Sequence, residues 1–334
     1  MQPAASLGMH QAQRTNRCKR WLRAWAWYHC SSSAQQESSP MSTIEFGLML
    51  QPFPVGFPGI ELFEYNRRLI RKLSPGFTTL WVEDHLQLGE TATHECLSTL
   101  SYFAAEFPQF RVGALVLCQS YRNPALTAKM AANLQALSGG RFILGLGAGW
   151  KEDEYHAYGY PFPDTKTRLE QLEEAAIIAK TMWSSRPATF VGKHYSIRDA
   201  YCEPPPHPPI PLLIGGGGEE KTLAIVARRA DWWNFNSCTV EEYAHKLAVL
   251  KSHCARVGRD PAEIKLTYLS TASVSENPDQ VVRSPQKHFV SGSSTEVIRE
   301  LERFHAVGVT HFMFRFLDPE SLERFVQTVA PHFA

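Results

Sequence analysis

From Thr43 onward the chain alternates short apolar runs of strand length with longer segments whose apolar residues recur at helical spacing, and it does so eight times. The predicted strands are 44–49, 78–82, 112–117, 142–146, 212–214, 232–234, 264–269 and 311–316. The predicted helices are 61–73, 95–105, 125–137, 167–183, 220–229, 241–257, 295–306 and 320–329. A doubly wound open sheet usually stops at five or six strands, whereas eight strand-helix units with nothing left over are what a closed barrel requires. The expected fold is therefore an α/β (β/α)8 TIM barrel with loop insertions. Residues 184–211 and 270–292 read as irregular, the first because Pro204, Pro205, Pro206, Pro208 and Pro209 exclude regular structure.

In such a barrel chemistry gathers where strands end and loops begin. Those junctions hold Gln51, Asp84, His85, residues 117–121, Gly147, Gly149, Trp150, Gly215, Gly216, Gly217, Gly218, Asn234, Asn236, Thr271 and Arg315. The run from Arg141 to Trp150 is apolar and then breaks into alternating glycines, the pattern of a buried parallel strand whose end approaches something that leaves no room for a side chain. Either a ligand fills that space or the glycines merely let the next helix pack. His85 can transfer a proton near neutrality or hold a polar ring atom; the bland alternative is a structural histidine capping a loop. Four glycines running from a strand into a helix make an anion cradle of bare N–H groups, unless the turn is simply flexible and Glu219 and Glu220 satisfy the helix dipole themselves. Residues 115–120 leave the third strand with small and polar groups, suited to passing under a flat ring, and Tyr121-Arg122-Asn123-Pro124 opens the third helix.

Composition removes several classes. Lys plus Arg (34) nearly cancels Asp plus Glu (33), and no basic stripe interleaved with aromatics follows residue 40, so no nucleic-acid partner is expected and a small-molecule substrate is. The seven cysteines are scattered, odd in number and without C-x-x-C, which predicts reduced thiols in a cytoplasm and no zinc site. H-E-x-x-H and G-x-S-x-G are absent, and no run is apolar enough to span a bilayer. Residues 1–40 set Arg14, Arg17, Lys19, Arg20 and Arg23 against Glu37 and are rich in Ser and Gln. They read as a disordered extension preceding a plausible start at Met41; a transit peptide, or a membrane-surface helix over Trp21 to Tyr28, is the alternative.

Taken together, the segments Leu80-Trp81-Val82-Glu83-Asp84-His85-Leu86, Tyr121 to Ala125, Ser138 to Trp150, Gly159-Tyr160-Pro161-Phe162-Pro163, Ile214 to Gly218 and Ala230 to Asn234 resemble the bacterial luciferase-like monooxygenase superfamily, and within it the coenzyme F420-dependent oxidoreductases. The resemblance covers residues 43–334. It implies a barrel whose mouth binds F420, or alternatively FMN, with hydride transfer or oxygen activation as the chemistry. His85 matches a histidine near the reactive ring. Leu115-Val116 matches a bulge with a non-proline cis peptide beneath that ring. Cys118, Gly149 and Trp150 fall around the cofactor, Gly215 to Gly218 fall where its phosphate is held, and Asn236 lies where a polar phosphate ligand occurs. The resemblance also implies a homodimer and, for the FMN reading, a separate reductase; a flavin-binding protein without turnover is a third reading. Two positions depart from the F420 sugar-phosphate dehydrogenases: Trp150 replaces a glutamate acid, and Gly89 replaces a tryptophan, so sugar-phosphate oxidation by that mechanism is not expected. Residues 151–165, 184–211 and 270–292 are expected to line the substrate pocket.

Overall fold

The computed structural model describes residues 43–52 and 59–333. The expected N-terminal extension, with its alternative helix at Trp21 to Tyr28, lies outside the described residues. Eight strands form the barrel: β1 (Glu45–Met49), β2 (Phe77–Val82), β3 (Arg111–Ala114, resuming at Leu117–Cys118), β4 (Phe142–Gly147), β5 (Leu212–Gly215), β6 (Trp232–Asn236), β7 (Lys265–Val274) and β8 (His311–Phe316). Every barrel pairing is parallel and joins neighbours in this order. β8 closes the ring on β1, with Glu45 opposite His311. The (β/α)8 expectation is met.

Residues alternate between the barrel axis and the surrounding helices because a strand has period two. The outward set packs under the helices, and the inward set (Met49, Trp81, Leu115, Ile143, Leu213, Trp232 and Met313) forms a second buried cluster along the axis. Trp81 fits there because its flanking strands carry glycines beside it. A Cβ on Gly47 would lie 2.6 Å from the indole nitrogen, and one on Gly113 would lie 2.3 Å from the ring. The N-terminal end of the barrel is closed by polar groups that satisfy one another. Trp81 Nε1–H donates to Thr79 Oγ1 (2.6 Å), the Thr79 hydroxyl meets His311 Nε2 (2.9 Å), and His311 Nδ1 meets Glu45 Oε2 (2.9 Å), which also pairs with Lys265. Burial pushes the His311 imidazole down to about 4, and the His311 hydrogen bond draws the Glu45 carboxyl down to about 2. His311 is therefore neutral, with its proton on Nδ1.

The α-helices among the described residues are α1 (Gly59–Ile70), α2 (Cys96–Glu106), α3 (Pro124–Leu137), α4 (Glu152–Ala157), α5 (Thr165–Ser184), α6 (Thr222–Arg229), α7 (Val240–Val257), α8 (Ser294–Ala306) and α9 (Pro319–Arg324). Capping boxes Thr239/Glu242 and Ser293/Glu296 start α7 and α8. Several expectations are corrected. Residues 184–211 are not wholly irregular: Ala188–Val191 and Ser196–Ala200 form an antiparallel hairpin. Its turn is tied down by Glu174, whose carboxylate accepts from the backbone N–H groups of Lys193, His194 and Tyr195. Residues 151–165 include α4, β7 runs on to Val274, and Val290–Gly292 adds a short parallel strand outside the ring. The last helix turns into a π segment at Phe325–Val329. Among the described residues no helix is long and apolar enough to cross a membrane.

Candidate active site at the barrel mouth

β3 leaves the ladder after Ala114, passes through a non-proline cis peptide between Leu115 and Val116, and rejoins β4 with Leu117 opposite Leu146 and Cys118 opposite Gly147. Val116 thereby projects over the ends of β4 and β5, where the glycines receive it. A Cβ on Gly147 would lie 2.6 Å from a Val116 methyl, and one on Gly145 or Gly215 would lie 3.1 Å away. Gly149 has φ +80°, and its Cβ would meet Tyr155 Oη at 2.0 Å and Cys118 Sγ at 2.7 Å. The glycine run thus makes room first for the chain's own atoms: the Ala114 carbonyl, Val116 and Tyr155. Cys118 is buried, its Sγ 2.9 Å from Tyr155 Oη, which also lies 3.0 Å from Ser120 Oγ. Burial raises both the Cys118 thiol and the Tyr155 phenol, so both stay protonated.

His85 follows β2. Its Nδ1 lies 2.8 Å from Oε1 of Glu154, an α4 carboxylate only 1% exposed. The other oxygen, Oε2, accepts the Tyr121 hydroxyl at 2.8 Å, and the Tyr160 hydroxyl donates to the Tyr121 carbonyl at 2.9 Å. Burial holds the Tyr121 phenol above its ordinary range, so it remains a donor. A carboxylate accepts only, so the His85 proton sits on Nδ1 and Nε2, which bonds to no described residue, is left for the mouth. The exposed Trp150 indole stands edge-on to the imidazole at 6.1 Å between centroids. Asp84 turns the other way. Its oxygens take Arg122 Nη1 and Nη2 at 2.8 Å each, and one also accepts the Cys118 N–H at 2.9 Å, which ties the end of β2 to the bulge.

At the fifth junction Gly216 has φ +121° and donates its N–H to the Asn234 carbonyl at 3.0 Å. The N–H groups of Gly217 and Gly218 donate to no described residue. α6 begins only at Thr222, two residues later than expected. The Glu219 side chain does not fill the cradle: it pairs with Lys246 (2.7 Å) and His245 (3.0 Å) on α7. Space around Gly217 and Gly218 is limited by the protein itself, since Cβ atoms there would meet the Phe235 ring at 2.3 Å and Thr222 Oγ1 at 2.7 Å. Asn236 ends β6 with an exposed side chain. Two residues at the mouth carry no partner signal in the sequence: Glu83, which stands only within the Leu80 to Leu86 segment of the resemblance, and Arg315, which stands only as a junction. They form an ion pair, Nη2 to Oε1 at 2.6 Å. A groove of about 850 Å³ lies at the opposite face around Trp232, Ile264 and Lys265, away from His85. No cluster of three or more metal-ligating side chains occurs among the described residues.

One mouth of the barrel thus brings together a seated bulge, a carboxylate-held histidine and open N–H groups. The luciferase-like monooxygenase model matches residues 44–318, and the chain belongs to that family. It is 35% identical over 141 residues to an F420-dependent glucose-6-phosphate dehydrogenase of Kineococcus radiotolerans, a match that covers 41% of this chain and 42% of that protein. It is 27% identical over 184 residues to the pyrimidine monooxygenase RutA of Stutzerimonas stutzeri, covering 52% and 49%. The chain thus matches about half the length of these curated relatives or less. An F420-dependent secondary alcohol dehydrogenase solved with an F420-acetone adduct shares the fold, with a TM-score of 0.75 and 18% identity, over 87% of this chain and 99% of that one.

Proposed function

We propose that the chain is an F420-dependent oxidoreductase that moves hydride between a deazaflavin and a small organic substrate at the β-strand ends. The observation that carries this is His85 at the end of β2 with its Nδ1 engaged by buried Glu154, on the same turn whose Asp84 ties the β3 bulge in place through the Cys118 N–H. Leu115 and Val116 would support the ring. Cys118, Gly149 and Trp150 would surround it, and the Gly215 to Gly218 backbone with Asn236 would hold the phosphate end, for which the unengaged N–H groups of Gly217 and Gly218 are suited. The bound deazaflavin would supply or accept the hydride. His85 would move the accompanying proton at Nε2, with Glu154 and Tyr121 keeping its tautomer fixed.

The relatives' sugar phosphate does not transfer to this chain. Arg122, Arg315 and Lys151 at the mouth are each paired with a carboxylate, from Asp84, Glu83 and Asp153, and Trp150 stands where those dehydrogenases carry an acid. The likeness to a pyrimidine monooxygenase supports a second reading, FMN-dependent oxygenation fed by a separate reductase. Titration decides between them: F420 should quench tryptophan fluorescence at low micromolar concentration, quenching by FMN alone would establish the second reading, and quenching by neither would overturn both. A cytoplasmic homodimer accompanies the proposal, and light scattering that reports a monomer over a wide concentration range would remove the dimer from it.

A further inference from the structure

Glu83 and Arg315 stand one period beyond the axial residues Trp81 on β2 and Met313 on β8, so both side chains face the barrel axis at the mouth. β1 alone separates their strands, with Leu48 paired to both Leu80 and Phe314. The two charges are only about a quarter exposed (28% for the Arg315 side chain and 25% for Glu83). At 2.6 Å they touch, yet Arg315 Nε and Nη2 are buried without a hydrogen-bond partner, so the contact is a charge pair with its N–H vectors out of line. No hydrogen bond from another described residue reaches either head group. Of the guanidinium nitrogens only Nη1 is left exposed, a donor without a described partner, and the Glu83 carboxylate accepts no hydrogen bond from any described residue. Glu83 and His85 also border one slot between α1 and α2, lined by Leu62, Phe63, Leu88 and Phe103.

A pair that is already neutral disfavours an anionic guest, because a second negative charge would sit beside Glu83 in a half-buried site. What it lacks is a neutral edge offering an acceptor to Arg315 and a donor to Glu83 at once. We propose that Glu83 and Arg315 are the specificity-determining pair of this mouth and select a neutral substrate that carries a hydrogen-bond donor next to a carbonyl, either a cis-amide edge of a ring or a vicinal hydroxy-carbonyl. The slot takes the apolar remainder. This rests on the function proposed above only in placing the reaction at the mouth, since recognition by the pair needs no cofactor.

The test is calorimetric titration of the full chain, with and without F420 or FMN, using two probe pairs that differ by one N–H or O–H: δ-valerolactam against N-methyl-δ-valerolactam, and acetoin against its methyl ether. In at least one pair the donor-bearing probe should bind about tenfold more tightly, because its blocked analogue leaves a charged acceptor unpaired. The pair that shows the preference identifies the class. In Glu83→Met/Arg315→Met, which keeps the net charge, the preference should vanish while cofactor affinity stays as in the parent. Equal binding within both probe pairs, or a preference that survives in the double variant, overturns the inference, and the first of these outcomes requires no variant to fold. Failure of both cofactors to bind would instead strike the proposed function, and the probe comparison without cofactor would still read out the pair.

Discussion

His85 and Glu154 are 69 residues apart in the chain and meet at 2.8 Å, Nδ1 to Oε1, with the carboxylate almost wholly buried. The contact makes the imidazole an oriented group at the mouth, with one nitrogen committed and the other open.

Replacing His85 with Gln should lower kcat by about 10²-fold to 10⁴-fold, the range usual for a lost proton-transfer group, with cofactor affinity nearly unchanged. Glu154→Gln, which keeps an acceptor for Tyr121 but not the charge facing His85, should lower kcat by less. Single-turnover kinetics paired with cofactor titration checks both, and a His85 variant of unchanged kcat refutes the assignment.

Charge at the cradle should act on binding. Asn236→Asp places a carboxylate at an exposed strand end beside the open N–H groups, and should weaken cofactor affinity about fivefold at low salt while the melting temperature holds. Gly217→Asp is a poorer probe, since its Cβ would be driven into Phe235 and the fold would suffer with the affinity.

Gly113→Ala should destabilise the barrel by about 1–3 kcal/mol, because the new methyl overlaps the Trp81 ring, which Gly47 confines from the other side. Urea unfolding measures it, and an unchanged midpoint would show that Trp81 has room to move.

Acid should find the closed end of the barrel. His311 is held near pKa 4 in the folded chain and returns to its ordinary value, near 6.5, on unfolding. The unfolded chain therefore takes up a proton that the folded chain refuses. Stability from this group is complete above about pH 6.5 and is lost as pH falls toward 4. Glu45, held near 2, adds a further loss below about pH 4.5. The melting temperature should fall by several degrees between pH 6.5 and 4.5. In His311→Gln, less stable throughout, that part of the pH dependence should flatten.

The barrel was legible because strand and helix periods recur locally: β8 was placed at its observed residues, and β1 and β2 within one residue at their starts. The hairpin at Ala188–Val191 and Ser196–Ala200 was not, since its turn depends on a carboxylate about 20 positions away on α5, which no local pattern displays. His85 could be singled out by its position after a strand. Glu154 could not, being one of three acids in Glu152-Asp153-Glu154, and only burial selects it. The glycine run of Gly145, Gly147 and Gly149 is open from sequence to two readings, room for a ligand or room for the next helix; its nearest neighbours are the Ala114 carbonyl and Val116, about 30 positions back on β3, and Tyr155 of the helix that follows.

The height of the bulge above the strand ends is set by atoms that are missing. Val116 rests in hollows left by Gly145, Gly147 and Gly215, on two different strands; a methyl group added at Gly147 or Gly215 would press on Val116, and one at Gly145 would meet the Ala114 carbonyl of the same bulge first. These four positions behave mechanically as one part, and whatever lies on Val116 inherits its depth from them. Enlarging the mouth for a thicker guest while keeping that depth would mean redrawing all four together.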